Sequence, residues 1–235
     1  GMIAGLHQAI RAANDNPRVR VVVLASSGPV FSAGHDLREM AQRSDETGEQ
    51  HAARLRRILD DCARMMLDMM HSPKAVIGCV QGTATAAGCQ LVSACDLAVA
   101  SDAAQFCTPG VNIGTFCTTP LVGIGRNLQR KHAMELALTG DMFDADDAVR
   151  FGLINRVVPA ESLRDEVTSL AAKIASKSAQ AIRSGKETFY RQIDMPIEAA
   201  FEYASAAMLQ GLLSGDASEG TRAFLEKRAP VWGDA

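Results

Sequence analysis

Two stretches of small residues hold the groups that could do chemistry in this chain. The first is Phe31-Ser32-Ala33-Gly34-His35-Asp36; the second is Gly82-Thr83-Ala84-Thr85-Ala86-Ala87-Gly88-Cys89-Gln90. Each follows an apolar, strand-like run, and the second opens into a helix. Small side chains let a backbone come close to a ligand, and the free N–H groups of a helix N-terminus attract a negative oxygen. If the two preceding strands are neighbours in a parallel sheet, both turns leave at one edge and their amides converge on one pocket. Two such donors stabilise an oxyanion with dipoles already aimed, and losing one typically costs on the order of 3 kcal/mol. The same pattern also serves two tight strand–helix turns that bind nothing.

The side chains nearby are few. His35 is the only histidine in these loops and titrates near neutrality, so it can hand on a proton; it can equally stack on a ligand or bond Asp36. Cys107 and Cys117 are nucleophilic types, but no base stands beside them and their loops are not electropositive, so packing is expected. Gln90 closes the second stretch with an amide, where a proton-transferring enzyme would want a carboxylate.

The elements that must position these groups read as follows. Residues 2–14 place Ile3, Leu6 and Ile10 at helical spacing, stopped by Asn14-Asp15-Asn16-Pro17. Val19–Ala25 is a β-branched run that predicts a strand buried on both faces. Residues 40–50 are polar and read as mobile. Leu55, Ile58, Leu59, Cys62, Met65, Met66 and Met69 share one face of a long helix ended by His71-Ser72-Pro73. Ala75–Val80 is a second strand, Gln81–Ala86 its turn, Ala87–Ala94 a helix and Asp96–Ala100 a third strand. Phe106–Pro120 reads as irregular pocket lining. Helices are expected near 121–139, 144–151, 160–176, 178–192, 196–213 and 216–228, with a short strand at Ile154–Val158. Strands alternating with helices and then helices alone predict an α/β core over residues 1–175 and a helical region over 176–235.

The bulk numbers narrow the classes. A chain of 235 residues with 47% hydrophobic and 22% charged residues is globular rather than disordered. A balance of 24 basic against 27 acidic residues speaks against a general nucleic-acid or anionic-membrane binder. No run of 18 apolar residues suggests a membrane span. Six cysteines without C-x-x-C spacing predict reduced core residues, no disulfide and no metal site. A reducing compartment follows: the cytoplasm is expected, with the mitochondrial matrix open because the start, Gly1-Met2 and then a helix at once, looks clipped.

Several motifs in order resemble the enoyl-CoA hydratase/isomerase (crotonase) superfamily. They are Phe31–Leu37 within Val21–Met40, Lys74–Asp96, Phe106–Gly114, Leu138-Thr139-Gly140-Asp141, Gly152-Leu153-Ile154-Asn155 within Ala148–Val158, and Phe224–Arg228 within Gly220–Pro230. The family's usual N-terminal strand pair is missing from the match. The resemblance implies a crotonase-like spiral of ββα units with a helical C-terminal trimerisation region, binding coenzyme A thioesters as a homotrimer or a dimer of trimers. It implies no separate cofactor, since CoA is part of the substrate. The oxyanion amides fall on Ala33 and Ala87, the CoA contacts on His35, Asp36, Leu37 and Arg38, and a closing contact, often from a neighbouring subunit, on Phe224 and Lys227. Arg38 and Lys227 read equally well as solvated surface charges.

The departures bear on the reaction. Family hydratases place glutamates at the positions of Gln90 and Gly110, and hydration needs both a base for water and an acid for the α-carbon. A further position where some members use Asp falls near Thr118. The family name therefore predicts a hydratase label that the side chains do not support. Three readings stay open: decarboxylation of a malonyl-type thioester, which needs no general base and in which Gln90 orients a carboxylate and His35 delivers a proton; a non-catalytic acyl-CoA binder; and a serine hydrolase on the same spiral, for which Ser32 or Ser93 lacks a convincing histidine. Phe201, Ala204, Met208 and Leu212, and Phe224 with Trp232, form apolar faces expected to need a partner subunit.

Overall fold

A computed structural model describes residues 1–233. The chain opens with helix α1 (Met2–Asp15) and then repeats one unit: a strand in a first sheet, a short strand in a second sheet, and a helix that returns it to the first. The first pass is β1 (Val21–Ala25), β2 (Val30–Ser32), the short α2 (Leu37–Met40) and the long α3 (Gly48–Met70). The second is β3 (Ala75–Val80), β4 (Thr83–Thr85) and α4 (Ala87–Ala94). The third is β5 (Leu97–Ser101), β6 (Gln105–Cys107), a 3-10 turn (Pro109–Ile113) and helices α5 (Pro120–Asn127) and α6 (Arg130–Thr139). β7 (Phe143–Asp144), α7 (Ala145–Phe151) and β8 (Arg156–Val158) close the spiral. The first sheet runs β1-β3-β5-β8 with all pairs parallel; the second runs β2-β4-β6-β7, antiparallel only at its last pair.

All six residues of β3 are buried, as a central parallel strand requires. β1 differs from the expectation that both its faces are buried: Val23 is 42% exposed. It is the edge strand, paired through Val21↔Ala75 on one side only among the described residues. The second sheet was not legible as strands. β4 lies inside what reads as a plain turn at 81–86, and β6 overlaps the start of the stretch expected to be irregular; at three residues each they are too short to show an alternation. The helix expected over 121–139 is two, separated at Leu128-Gln129.

The segment over 40–50 is tied down rather than loose. Thr47 and Gln50 form a reciprocal capping box at the start of α3. Arg54 donates to the carbonyls of Glu39 and Ala41 and to the Glu46 carboxylate, at 2.5 Å for the last, and the His51 ring contacts the Met40 carbonyl at 2.9 Å. The hydrogen bond from Arg54 holds Glu46 ionised down to about 2.

After the spiral come α8 (Leu163–Ala175), packed on β3 and β5 through Leu163 and Val167, then α9 (Ala179–Gln192), α10 (Ile197–Leu212) and α11 (Gly215–Leu225). α9 reaches back to the core through a half-buried cluster. Lys186 Nζ donates to Asp96 Oδ2 (2.6 Å) and to the carbonyls of Met69 (3.1 Å) and Lys74 (3.0 Å), and Tyr190 donates to Asp96 Oδ1 (3.1 Å). Trp232 does not extend the exposed apolar face. Its ring lies against Gly220 and its Nε1 donates to the Ser176 carbonyl at 2.8 Å, folding the C-terminal strap onto its own chain.

Candidate functional site

Parallel pairing of β2 with β4 places the two small-residue turns side by side. Gly34 has φ +89°, and a Cβ there would lie 3.2 Å from both Ala86 Cβ and Ala87 N, so only glycine lets the first turn pass this close to the second. Thr85 Oγ1 donates to the Ala33 carbonyl at 3.1 Å and pins that turn. Gly88 allows the other close approach: a Cβ on it would sit 2.2 Å from the Ser32 carbonyl oxygen. The two loops expected to converge are thus in contact.

The strained residue is Ala86, one before the expected donor Ala87. Ala87 is the first helical residue of α4, and its amide is one of the donors a helix leaves without an internal partner. The left-handed backbone belongs to Ala86, with φ +50° and ψ −115°, a conformation that disfavours a side chain and costs roughly 1–3 kcal/mol. It is held by the Ala86 N–H, which donates to the Cys107 carbonyl at 3.0 Å, and by the Ala86 carbonyl, which accepts from Gln90 N at 3.1 Å. This turn swings the Ala87 amide into place.

Beside Ala87 opens a cavity of about 370 Å³, within the usual size of a small-molecule site. Ser32, Gly34, His35 and Asp36 line it from the first turn and Leu91 from α4. Ile3 and Leu6 of α1 face Ile58, Cys62, Met65 and Met66 of α3 across it. Ala33 itself is exposed between its lining neighbours. The sequence marked these α1 and α3 residues only as apolar helix faces, because such a stripe looks the same against a core and against a pocket. It also missed Glu39 and Asp61, both of which line the cavity.

Burial lowers the His35 pKa, and Glu39 opposes this only in part, so the imidazole is held toward its neutral form. His35 does not bond Asp36; the Asp36 carboxylate caps α2 through Arg38 N at 2.9 Å. Leu37 and Arg38 are exposed and do not line the cavity, nor do Phe224 and Lys227 of the same chain. Phe224 is 82% exposed just before the end of α11.

Gln90 is one helical turn beyond Ala87, 7% exposed, and its Oε1 is buried with no hydrogen-bond partner among the described residues. Gly110 fails as an acid position for a steric reason as well. A Cβ there would lie 3.0 Å from Cys117 N and Sγ and 3.1 Å from Phe116 C, so a side chain would start in tight contact and the Cys117 turn would have to give by a few tenths of an ångström. Burial raises the Cys117 thiol and pushes Cys107 up to about 11, which leaves both protonated at neutral pH and unsuited to attack. The six cysteines are free. Among the described residues no group of His, Cys, Asp and Glu could hold a metal ion, and no helix is long and apolar enough to cross a membrane.

The family described as enoyl-CoA hydratase/isomerase matches residues 1–235. The chain is 44% identical to the mitochondrial enoyl-CoA hydratase domain-containing protein 3 of Danio rerio, covering 98% of this chain and 78% of that one. It is 43% identical to the Rattus norvegicus counterpart, covering 98% and 75%. The crystal structure of the human enoyl coenzyme A hydratase domain-containing protein 3 aligns with TM-score 0.93 at 42% identity, over 98% of this chain and 89% of that chain. An enoyl-CoA hydratase from Mycobacterium smegmatis aligns with TM-score 0.91 at 44% identity, over 98% and 88%.

Proposed function

The chain belongs to the enoyl-CoA hydratase/isomerase family, and from that premise we propose that it binds an acyl-CoA thioester and polarises its carbonyl without hydrating a double bond. The thioester oxygen accepts from the amides of Ala33 and Ala87, the second at a helix N-terminus where the dipole adds to the field. Gln90 presents an amide that orients a water or a polar substrate group but exchanges no proton near pH 7. The observation that carries this reading is Gly110, which offers no side chain and where even a Cβ would lie 3.0 Å from Cys117 N and Sγ.

Arg38, exposed two residues beyond the cavity-lining Asp36, offers its guanidinium to a CoA phosphate. Phe224 and Lys227 serve the same ligand from a neighbouring copy, in a trimer or a dimer of trimers. Exposed apolar side chains on α10 support that assembly. The free cysteines suit a reducing compartment, whether cytoplasm or mitochondrial matrix.

Calorimetric titration with butyryl-CoA and a hydration assay on crotonyl-CoA test the reading together. Saturable thioester binding with hydration at the buffer rate is the expected result. Hydration at a rate ordinary for an enzyme, about 1 s⁻¹ or more, overturns the claim that the acid and base are missing. Absence of thioester binding overturns the whole reading.

A further inference from the structure

Glu39 and Met40 line the cavity beside Ala87, and they end α2, a helix of only four residues. A helix that short leaves its last carbonyls without internal partners. Here the carbonyls of three successive residues are taken up by side chains of α3. Arg54 donates to those of Glu39 and Ala41, the second at 2.9 Å, and the His51 ring meets that of Met40 at 2.9 Å. The same guanidinium holds both oxygens of Glu46, from Nη2 to Oε1 at 2.5 Å and from Nε to Oε2 at 3.0 Å. Glu46 is itself placed by the Arg43 amide, which donates to Oε1 at 3.1 Å. The side chains of Arg54 and Glu46 are only 13% and 11% exposed, yet neither lines the cavity. Ile58, Cys62 and Met65, further along α3, form the wall facing α1. The clamp therefore fixes one part of the cavity wall against the helix that supplies another.

We propose that Arg54 is a positioning residue for the ligand: through the end of α2 it holds Glu39 and Met40 in their binding arrangement before the ligand arrives. The proposal rests on the acyl-CoA reading above and deepens it. One turn of helix does not persist alone, because fixing its dihedrals gains a single hydrogen bond. Without the clamp the α2 wall is in place only part of the time, and apparent affinity falls in proportion to that fraction. The residue type fits the task. Four N–H groups of one planar guanidinium reach two carbonyls and both carboxylate oxygens. A lysine ammonium has three donors on a single atom and cannot span the same set.

Titration with butyryl-CoA and trypsin digestion test the proposal on the unmodified protein, Arg54→Met, Arg54→Lys and Glu46→Gln, each checked for folding by circular dichroism. The digestion follows cleavage after Arg43, an exposed site within the clamped segment. The unmodified protein is expected to resist cleavage there with or without the thioester. Arg54→Met is expected to bind butyryl-CoA at least ~5-fold more weakly and to be cut rapidly after Arg43. Saturating butyryl-CoA should restore its protection, which a merely structural role for Arg54 would not produce. Arg54→Lys should fall between the two. Should Arg54→Met not fold, Glu46→Gln carries the same test, with a smaller loss in the same direction. Affinity in the folded variants equal to that of the unmodified protein, or cleavage that butyryl-CoA does not slow, overturns the proposal while leaving acyl-CoA binding in place. Failure of the unmodified protein to bind butyryl-CoA overturns the parent reading instead.

Discussion

Gln90 and Gly110 lack proton chemistry for different reasons, and single substitutions separate the two. Gln90 is isosteric with glutamate, so Gln90→Glu keeps the shape but buries a carboxylate whose oxygen has no partner. Such a carboxyl is pushed upward in pKa by desolvation and is expected to cost about 1–3 kcal/mol. Gly110→Glu must instead push the tightly packed Phe116–Cys117 turn back by a few tenths of an ångström. Overpacking of that kind costs about 1–3 kcal/mol or more, a fall in Tm of roughly 4–10 °C by calorimetry. Neither variant alone is expected to hydrate crotonyl-CoA, because each restores at most one of two partners; turnover by Gln90→Glu alone contradicts the two-carboxylate argument. His35 makes a separate prediction. Its pKa is lowered in the folded chain by burial, so the unfolded chain binds the proton first as pH falls. Stability is therefore full above the unfolded value near 6.5 and is lost as pH drops through the folded value. Plotting Tm against pH for the protein and for His35→Gln should show this acid-side decline only where the histidine is present.

At the scale of elements, the cluster around Asp96 decides whether the C-terminal helices stand apart from the spiral. Lys186 is buried, its pKa pulled down by desolvation while Asp96 holds it up, and it ties α9 to the end of α3 and the start of β3. Lys186→Met leaves Asp96 with only the Val76 amide and the Tyr190 hydroxyl, and losing one partner of a buried pair costs about 3–5 kcal/mol. Thermal unfolding should fall by roughly 10 °C, and Lys186→Met combined with Asp96→Asn should cost less than the two single losses added. An additive double variant removes the coupling. None of this was visible in the sequence, where Asp96 and Lys186 are 90 residues apart. What was legible is what repeats locally: β3 and α4 fall on the residues their apolar runs mark, as does the α3 face except at Leu59, which is exposed. The converging turns were legible as small-residue loops, while their contact depended on pairing β2 with β4, two three-residue strands that composition does not reveal. The Arg54 clamp over 40–50 escaped for the same reason, because two of its acceptors are backbone carbonyls whose positions only the fold supplies.

For the molecule as a whole, the question is what covers α10. Ile197, Phe201, Met208 and Leu212 fall within one stripe of this helix, each at least 60% exposed. Phe224, on α11, is more exposed still. Scattered apolar side chains on a surface need no explanation, but a continuous stripe beside Leu209 and Leu213 does. The sequence announced these faces correctly except at Trp232, whose indole found the Ser176 carbonyl within its own chain. If the stripe is the seam of a homotrimer, light scattering should give three or six chain masses, and Phe201→Glu should shift the mass toward that of one chain. The same variant distinguishes where Phe224 and Lys227 act. They do not line this cavity in their own chain, and the proposed CoA contact from them comes from a neighbour. Acyl-CoA affinity in Phe201→Glu should then fall together with the mass, and Phe224→Ala should weaken binding in the assembled protein while leaving the dissociated variant unchanged. A dissociated chain that binds acyl-CoA as tightly as the assembly means the site is complete within one copy, and the exposed stripe then serves only to hold the copies together.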